Sequence, residues 1–173
     1  MTSVAAFPGS YNPPTIAHLA LASAAVRQCG VSRVDLILSR SALGKESVVR
    51  PTVEERASVL RRVAANGRPW LGVVVTSDQL LADIAEGYSV LVLGADKWEQ
   101  VMDPVFYGGS VARRDAAVAR LPRLAVARRG EGPLPMGPHV VVLDVEHHDV
   151  SSTAARAGQR DLMLPEALES GFW

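Results

Sequence analysis

Two side chains suited to proton or hydrogen-bond work stand three positions apart in the segment Gly9-Ser10-Tyr11-Asn12-Pro13-Pro14-Thr15-Ile16-Ala17-His18. They are the hydroxyl of Thr15 and the imidazole of His18. The segment follows a short apolar run, Val4-Ala5-Ala6-Phe7, and precedes an Ala/Leu-rich stretch with helical character. Strand, Gly-containing turn and helix is how α/β proteins present main-chain N–H groups and a helix N-terminus to a phosphate. A helix beginning near Thr15 projects Thr15 and His18 from one face of its first turn. A phosphate cradle with a protonatable donor beside it suits phosphate or nucleotidyl chemistry.

Two more segments carry compatible groups. Val150-Ser151-Ser152-Thr153-Ala154-Ala155-Arg156 follows an apolar run and opens a helix. Hydroxyls at a helix start donate to phosphate oxygens beside the open N–H groups, and Arg156, one turn in, can grip the same anion. Taken alone, the segment reads equally well as an ordinary N-cap with a surface arginine. Val90-Leu91-Val92-Leu93-Gly94-Ala95-Asp96 is an apolar strand ending in a glycine and an acid, which could accept from ribose hydroxyls. A capping aspartate after a strand is the plain alternative.

The elements that must position these groups alternate along the chain. Continuous Val/Leu runs predict strands at 4–7, 34–38, 71–76, 90–93, 124–127 and 140–145, the pattern of strands covered on both faces. Helices are predicted over 16–29, 53–65, 79–86, 96–101, 111–120, 153–157 and 165–169. Gly30 stands at a helix C-cap position, and Thr52 with Glu55 forms a capping box. The stretch 130–138, rich in Gly and Pro, predicts a loop between two strands. The order implies right-handed crossovers and an open, parallel, Rossmann-like α/β sheet with helices on both faces, one domain over 1–173. Ligands in such sheets bind at the carboxyl ends of the strands, where the strand order reverses.

Composition narrows the classes. The chain has 173 residues, 48% of them hydrophobic, and a mean hydropathy of +0.13, which suits one packed core. Eighteen basic residues balance 18 acidic ones, so no broad basic field for nucleic acid is expected. No apolar run is long enough to span a bilayer, and the first apolar segment is broken at Pro8-Gly9, unlike a signal peptide. The expected location is the cytoplasm. Cys29 is the only cysteine, so no internal disulfide forms, and it reads as a small buried hydrophobe. His147 and His148, flanked by Glu146 and Asp149, read as a solvated loop rather than a metal site, and no metal-binding residues are assigned. Asp144 shares that solvated reading, and His139 has no functional argument. The pairs Arg61-Arg62 and Arg113-Arg114 read as solvated faces. Arg128 and Arg129, ending a strand, are second-tier phosphate candidates. Trp70 and Trp173 read as packing residues.

Together these segments resemble the nucleotidyltransferase superfamily related to class I aminoacyl-tRNA synthetases, most of all nicotinate- and nicotinamide-mononucleotide adenylyltransferases. Gly9 to His18 matches the family's first motif, Gly94 to Asp96 its middle G-x-D, and Val150 to Arg156 its last motif. Lys45, one of two lysines, with Glu54-Glu55-Arg56 resembles the family's lysine and helix-borne E-x-R. The resemblance implies transfer of adenylyl from ATP to a mononucleotide, with nicotinate mononucleotide the expected acceptor, and release of pyrophosphate. It implies catalytic roles for His18, Thr15, Lys45 and Arg156. It places ATP against Gly9, Ser10, Tyr11, Thr15, His18, Gly94, Asp96, Ser151, Ser152, Thr153 and Arg156. The acceptor falls to Asn12, Lys45, Thr76 and Trp98, with Phe106 and Tyr107 as the alternative stacking residues. Mg²⁺ is expected on the ATP phosphates and water. ATP and a phosphate acceptor are the implied partners, without nucleic acid or membrane, and a homo-oligomer stays open.

The chain departs from the family at Thr15, where a histidine is usual, and at Ala17, where glycine is. Thr76-Ser77-Asp78-Gln79-Leu80 keeps only part of the family's acceptor segment. A pantetheine-phosphate adenylyltransferase, which suits Thr15, and a nucleotide sensor without turnover are the alternatives.

Overall fold

The structure is a computed structural model and describes residues 3–41, 50–128, 133–147 and 149–173. Six strands form one sheet: β1 (Val4–Pro8), β2 (Arg33–Ser39), β3 (Leu71–Thr76), β4 (Val90–Gly94), β5 (Arg123–Ala127) and β6 (Val140–Leu143). The helices are α1 (Ile16–Cys29), α2 (Val53–Ala65), α3 (Leu81–Ile84), α4 (Ala95–Met102), α5 (Val111–Ala119), α6 (Ser152–Arg156) and α7 (Pro165–Ser170). Short 3-10 turns lie at Pro104–Tyr107 and Arg160–Leu162.

The strand order is β3-β2-β1-β4-β5-β6, and every pairing is parallel. The twofold period of β1 sends Ala5 and Phe7 into one core layer and Ala6 into the other. The first layer packs Leu21, Ala22 and Ala25 of α1 and Leu60 and Val63 of α2 on Val34, Leu36 and Val92. The second packs Ile84 and Ala85 on Ile37, Leu91 and Leu93. This is the expected open α/β sheet covered on both faces. The chain steps from β1 outward to β3 and then returns to the other side of β1 as β4. The reversal between β1 and β4 opens the crevice in which such folds hold ligands.

Local signals set the long helices. Thr15 and Gly30 (φ 70°) bound α1. At α2 the Glu55 N–H donates to Thr52 Oγ1 at 3.1 Å, and the Thr52 N–H donates to Glu55 Oε2 at 2.6 Å. Two elements are shorter than the sequence predicts by more than one residue. The helix expected over 79–86 is confined to Leu81–Ile84, because Thr76 Oγ1 donates to Asp78 Oδ2 at 2.7 Å and ties the preceding chain into a turn. The strand expected over 140–145 ends at Leu143, where Gln28 of α1 takes over both main-chain groups of Asp144, at 2.7 and 3.1 Å. Among the described residues no helix is long and apolar enough to cross a membrane.

Candidate active site

The 9–18 segment leaves the carboxyl end of β1 beside the reversal point. The Gly9 N–H donates to the Ile37 carbonyl at 3.0 Å, holding the turn to β2. A Cβ on Gly9 would stand 3.0 Å from the Tyr11 ring, so a side chain there would displace Tyr11. Tyr11 itself adopts φ 46° and is 0% exposed. Its hydroxyl donates to the Phe7 carbonyl, and its ring meets Phe7 edge-on at 5.9 Å. Burial raises its pKa well above the ordinary tyrosine value, which keeps the hydroxyl a donor. The same ring lies 4.9 Å from the His18 imidazole. Tyr11, expected at the nucleotide, is therefore a buried support beneath His18.

Thr15 caps α1 and is also 0% exposed. Its N–H donates to His18 Nδ1 at 3.0 Å, and its Oγ1 lies 2.9 Å from the same nitrogen. A main-chain N–H can only donate, so Nδ1 must accept, and the neutral ring carries its proton on Nε2. The Thr15 hydroxyl, expected as a second ligand donor, instead faces the imidazole and orients it.

The fold brings the last motif to this turn. Ser151 caps α6, its Oγ accepting from the Ala154 N–H at 3.1 Å. Ser152 Oγ donates to the Pro13 carbonyl at 2.8 Å. Arg156 donates to the Asn12 carbonyl and lies 3.4 Å from Thr153 Oγ1, with both side chains exposed. Gly94 ends β4 as the cap of α4, and Asp96 is exposed on that helix's first turn, across the reversal point from β1. Lys45 lies outside the described residues, as do Arg129 and His148.

Of the expected acceptor residues, Asn12, Thr76 and Trp98 are engaged in contacts within the fold. Asn12 is 9% exposed, and its Oδ1 accepts from Trp173 Nε1 at 2.6 Å, so its side chain is engaged inside the fold. Thr76 is tied to Asp78. Trp98 packs on the core layer of Ile37, Leu91 and Leu93. A cleft open to solvent lies on the α3/α4 face beside Gly9 and Ser10. Its aromatic wall is Phe106 and Tyr107, and its polar groups include Ser39, Lys97 and Gln100. Lys97 Nζ donates to Gln100 Oε1 at 2.7 Å, one turn along α4. Burial, with Asp83 acting the same way against Arg114, raises the Tyr107 pKa, and its hydroxyl donates to the Val101 carbonyl at 2.9 Å. The sequence offered one signal for Lys97 and Gln100, a helical spacing that puts both on one face.

In the sequence Arg56 stands out only as part of a helix-borne motif. It is 5% exposed and donates from Nη1 to the Ser10 carbonyl and from Nε to Pro51 and Thr52 carbonyls at 3.1 and 3.3 Å. Burial lowers its pKa below the ordinary arginine value. Among the described residues, no group of three or more His, Cys, Asp and Glu is arranged to hold a metal ion.

No protein-family model and no curated protein matches this chain. Solved structures do. The Plasmodium falciparum nicotinic acid mononucleotide adenylyltransferase complexed with NaAD superposes with a TM-score of 0.70 at 11% identity, covering 98% of this chain and 94% of that one. The same enzyme complexed with APC gives 0.71 at 12% identity, with the same coverage. At this identity the likeness establishes architecture alone: from end to end, the chain has the fold of this adenylyltransferase.

Proposed function

We propose that the protein transfers an adenylyl group from ATP to a mononucleotide, with nicotinate mononucleotide as the preferred acceptor, and releases pyrophosphate. One observation carries the reading. The turn that holds His18 in a fixed tautomer at the sheet's reversal point is joined directly to the hydroxyl- and arginine-bearing start of α6.

In the reaction an acceptor phosphate oxygen attacks the α-phosphorus of ATP in line. The bond to the oxygen bridging the α- and β-phosphorus atoms breaks, and pyrophosphate leaves with the electron pair. Such a displacement asks the protein for positioning and charge stabilisation rather than covalent help. His18 donates from Nε2 to an α-phosphate oxygen as charge builds. Thr15 and Tyr11 hold the ring from either side. Arg156 exchanges the Asn12 carbonyl for β- and γ-phosphate oxygens beside Ser151, Ser152 and Thr153, and Lys45 neutralises charge between acceptor and nucleotide. Main-chain groups of Gly9 and Ser10 lie along the phosphates, while Gly94 and Asp96 meet the ribose. The acceptor enters the cleft between Gly9 and the Phe106–Tyr107 wall.

The hydroxyls, amides and single imidazole around the turn suit a metal that arrives on the triphosphate rather than one caged by protein. Mg²⁺ bound there neutralises phosphate charge. The choice of a pyridine nucleotide draws on the fold shared with an enzyme of that substrate class. A pyrophosphate-release assay with ATP and a panel of acceptors tests the reading. Fastest release with nicotinate mononucleotide supports it. Release with 4′-phosphopantetheine alone would reassign the acceptor, and ATP binding without release on any acceptor would leave a nucleotide sensor.

A further inference from the structure

The turn that bears the chemistry does little to hold itself in place. Pro13 and Pro14 have no N–H to give it, and its carbonyls are taken by groups from distant parts of the chain. Arg56 donates to the Ser10 carbonyl, Arg156 to Asn12, Ser152 Oγ to Pro13 at 2.8 Å and the Leu164 N–H to Pro14 at 3.1 Å. Thr15 makes an isolated antiparallel bridge with Met163. Apart from Arg56, all these partners lie in residues 151–173.

One of these ties is temporary under the adenylyl-transfer reading, on which this inference rests. When Arg156 moves to the phosphates, the Asn12 carbonyl loses its donor. The tie that remains on this residue is through its side chain, where Oδ1 accepts from Trp173 Nε1 at 2.6 Å across 161 positions of sequence. An indole N–H is only a donor, so the contact fixes the Asn12 amide with its oxygen toward the indole. Trp173 is itself anchored. Its main-chain oxygen accepts from Arg160 Nη1 at 2.9 Å, and its ring packs on Val59, Ala155, Met163 and Ala167. Arg160 follows α6 by four positions, so the same short stretch supports both Arg156 and Trp173.

We infer that Trp173 is a positioning residue for the reaction: its indole N–H holds Asn12, and through it the 13–18 turn, in register while Arg156 grips the phosphates. The ring's packing explains its burial; the N–H aimed at a nearly buried amide oxygen is what packing alone leaves unexplained.

The test is a double-mutant cycle read by steady-state kinetics. Trp173→Phe keeps an aromatic ring and removes the donor; Asn12→Leu keeps the branched shape and removes the acceptor. Each is expected to lower kcat on the order of tenfold, as expected for one lost buried hydrogen bond that fixes geometry, with the KM for ATP within about twofold. The double variant should fall no further than the worse single, and Asn12→Asp, which keeps an oxygen for the indole, should fall less than Asn12→Leu. Multiplying losses in the double variant, wild-type turnover in Trp173→Phe, or a loss confined to KM would overturn the role. The Trp173 indole resonance in proton–nitrogen NMR, identified by its absence in Trp173→Phe, reads the bond without turnover. It should be protected from solvent exchange in the wild type and exposed in Asn12→Leu, and rapid exchange in the wild type would also overturn the inference. If the wild type releases no pyrophosphate, the reaction and the positioning role fall together, while the indole resonance still reports whether the clamp exists.

Discussion

Replacing His18 tests the proposed chemistry and separates it from stability. In His18→Ala two things are lost at once. The Thr15 N–H, on a fully buried residue, loses the acceptor that lies 3.0 Å away, and the Nε2 donor disappears. An unsatisfied buried donor costs about 1–3 kcal/mol. For a chain of this size that corresponds to a fall in Tm of roughly 2–12 °C, at about 2–4 °C per kcal/mol. Loss of one donor to the developing charge costs about 10²–10³ in kcat. His18→Asn resolves the two. Its Oδ1 stands the same two bonds from Cβ as Nδ1 and can accept from the Thr15 N–H, but no atom replaces Nε2. His18→Asn should therefore recover most of the Tm and none of the turnover. The assay is pyrophosphate release at saturating ATP and nicotinate mononucleotide, with ATP affinity by calorimetry and Tm by scanning calorimetry. ATP affinity should change little in either variant. A folded His18→Asn protein with kcat within about tenfold of wild type would refute the donor role.

Other expectations follow from named contacts. Tyr11→Phe leaves the Phe7 carbonyl without its donor while keeping the ring against His18; it should cost about 1–3 kcal/mol in urea unfolding with a far smaller effect on kcat. A kcat loss as deep as that of His18→Ala would mean that the hydroxyl reaches substrate. Phe106→Ala opens the aromatic wall of the cleft and should raise the acceptor KM several-fold, by about 1 kcal/mol of lost stacking, with the KM for ATP little changed. Equal effects on both substrates would place the acceptor elsewhere. Burial works to raise the pKa of Glu166, but hydrogen bonds from Asn66 (3.0 Å), its own main chain and Arg68 (3.2 Å) outweigh it and hold the carboxyl below its ordinary value. A depressed folded pKa stabilises above the unfolded value of about 4.3 and is lost as pH falls through the folded value. Glu166→Gln should therefore be less stable than wild type at neutral pH, with the gap closing in acid; a gap that widens below about pH 4 has the wrong sign.

Where local chemistry decides, the sequence is legible. Both long helices begin where Thr15, Thr52 and Glu55 place them, and α1 ends at Gly30, because capping is a contact between residues a few positions apart. The apolar runs become the sheet for the same reason: strands buried on both faces need little more than Val, Leu and Ala. What the sequence hid is decided by the folded surroundings, in part by residues more than a hundred positions apart. Gln28 ends β6 early by capturing Asp144, 116 positions away. Trp173, read as packing, gives its N–H to Asn12, itself read as an acceptor ligand. Tyr11 occupies a motif position beside groups aimed outward, yet its φ of 46° turns the ring inward under His18. Arg56 carries a charge that composition places on a surface, and only the fold reveals that it lies buried against Ser10.

These remote ties bear on how activity and stability are linked. A turn at the carboxyl end of a central parallel strand has no partner strand of its own beyond the sheet edge, so whatever fixes it must come from elements that cross over it. Here α2 reaches one end of the turn through Arg56, while residues 151–173 reach the other through Ser152, Arg156, Leu164 and Trp173. Those two bodies are also joined to each other. Glu166 of α7 accepts from Asn66 and Arg68, which follow α2, and Val59 of α2 packs with Ala155, Met163 and Ala167. The more exposed pair Arg62–Glu169, at 2.8 Å, adds little by comparison, because water screens it. The α2–α7 packing therefore works as a bracket around the 9–18 turn. Loosening it should disturb the geometry at His18 before the sheet itself opens, since β1 and β4 are held by their own ladders and both core layers.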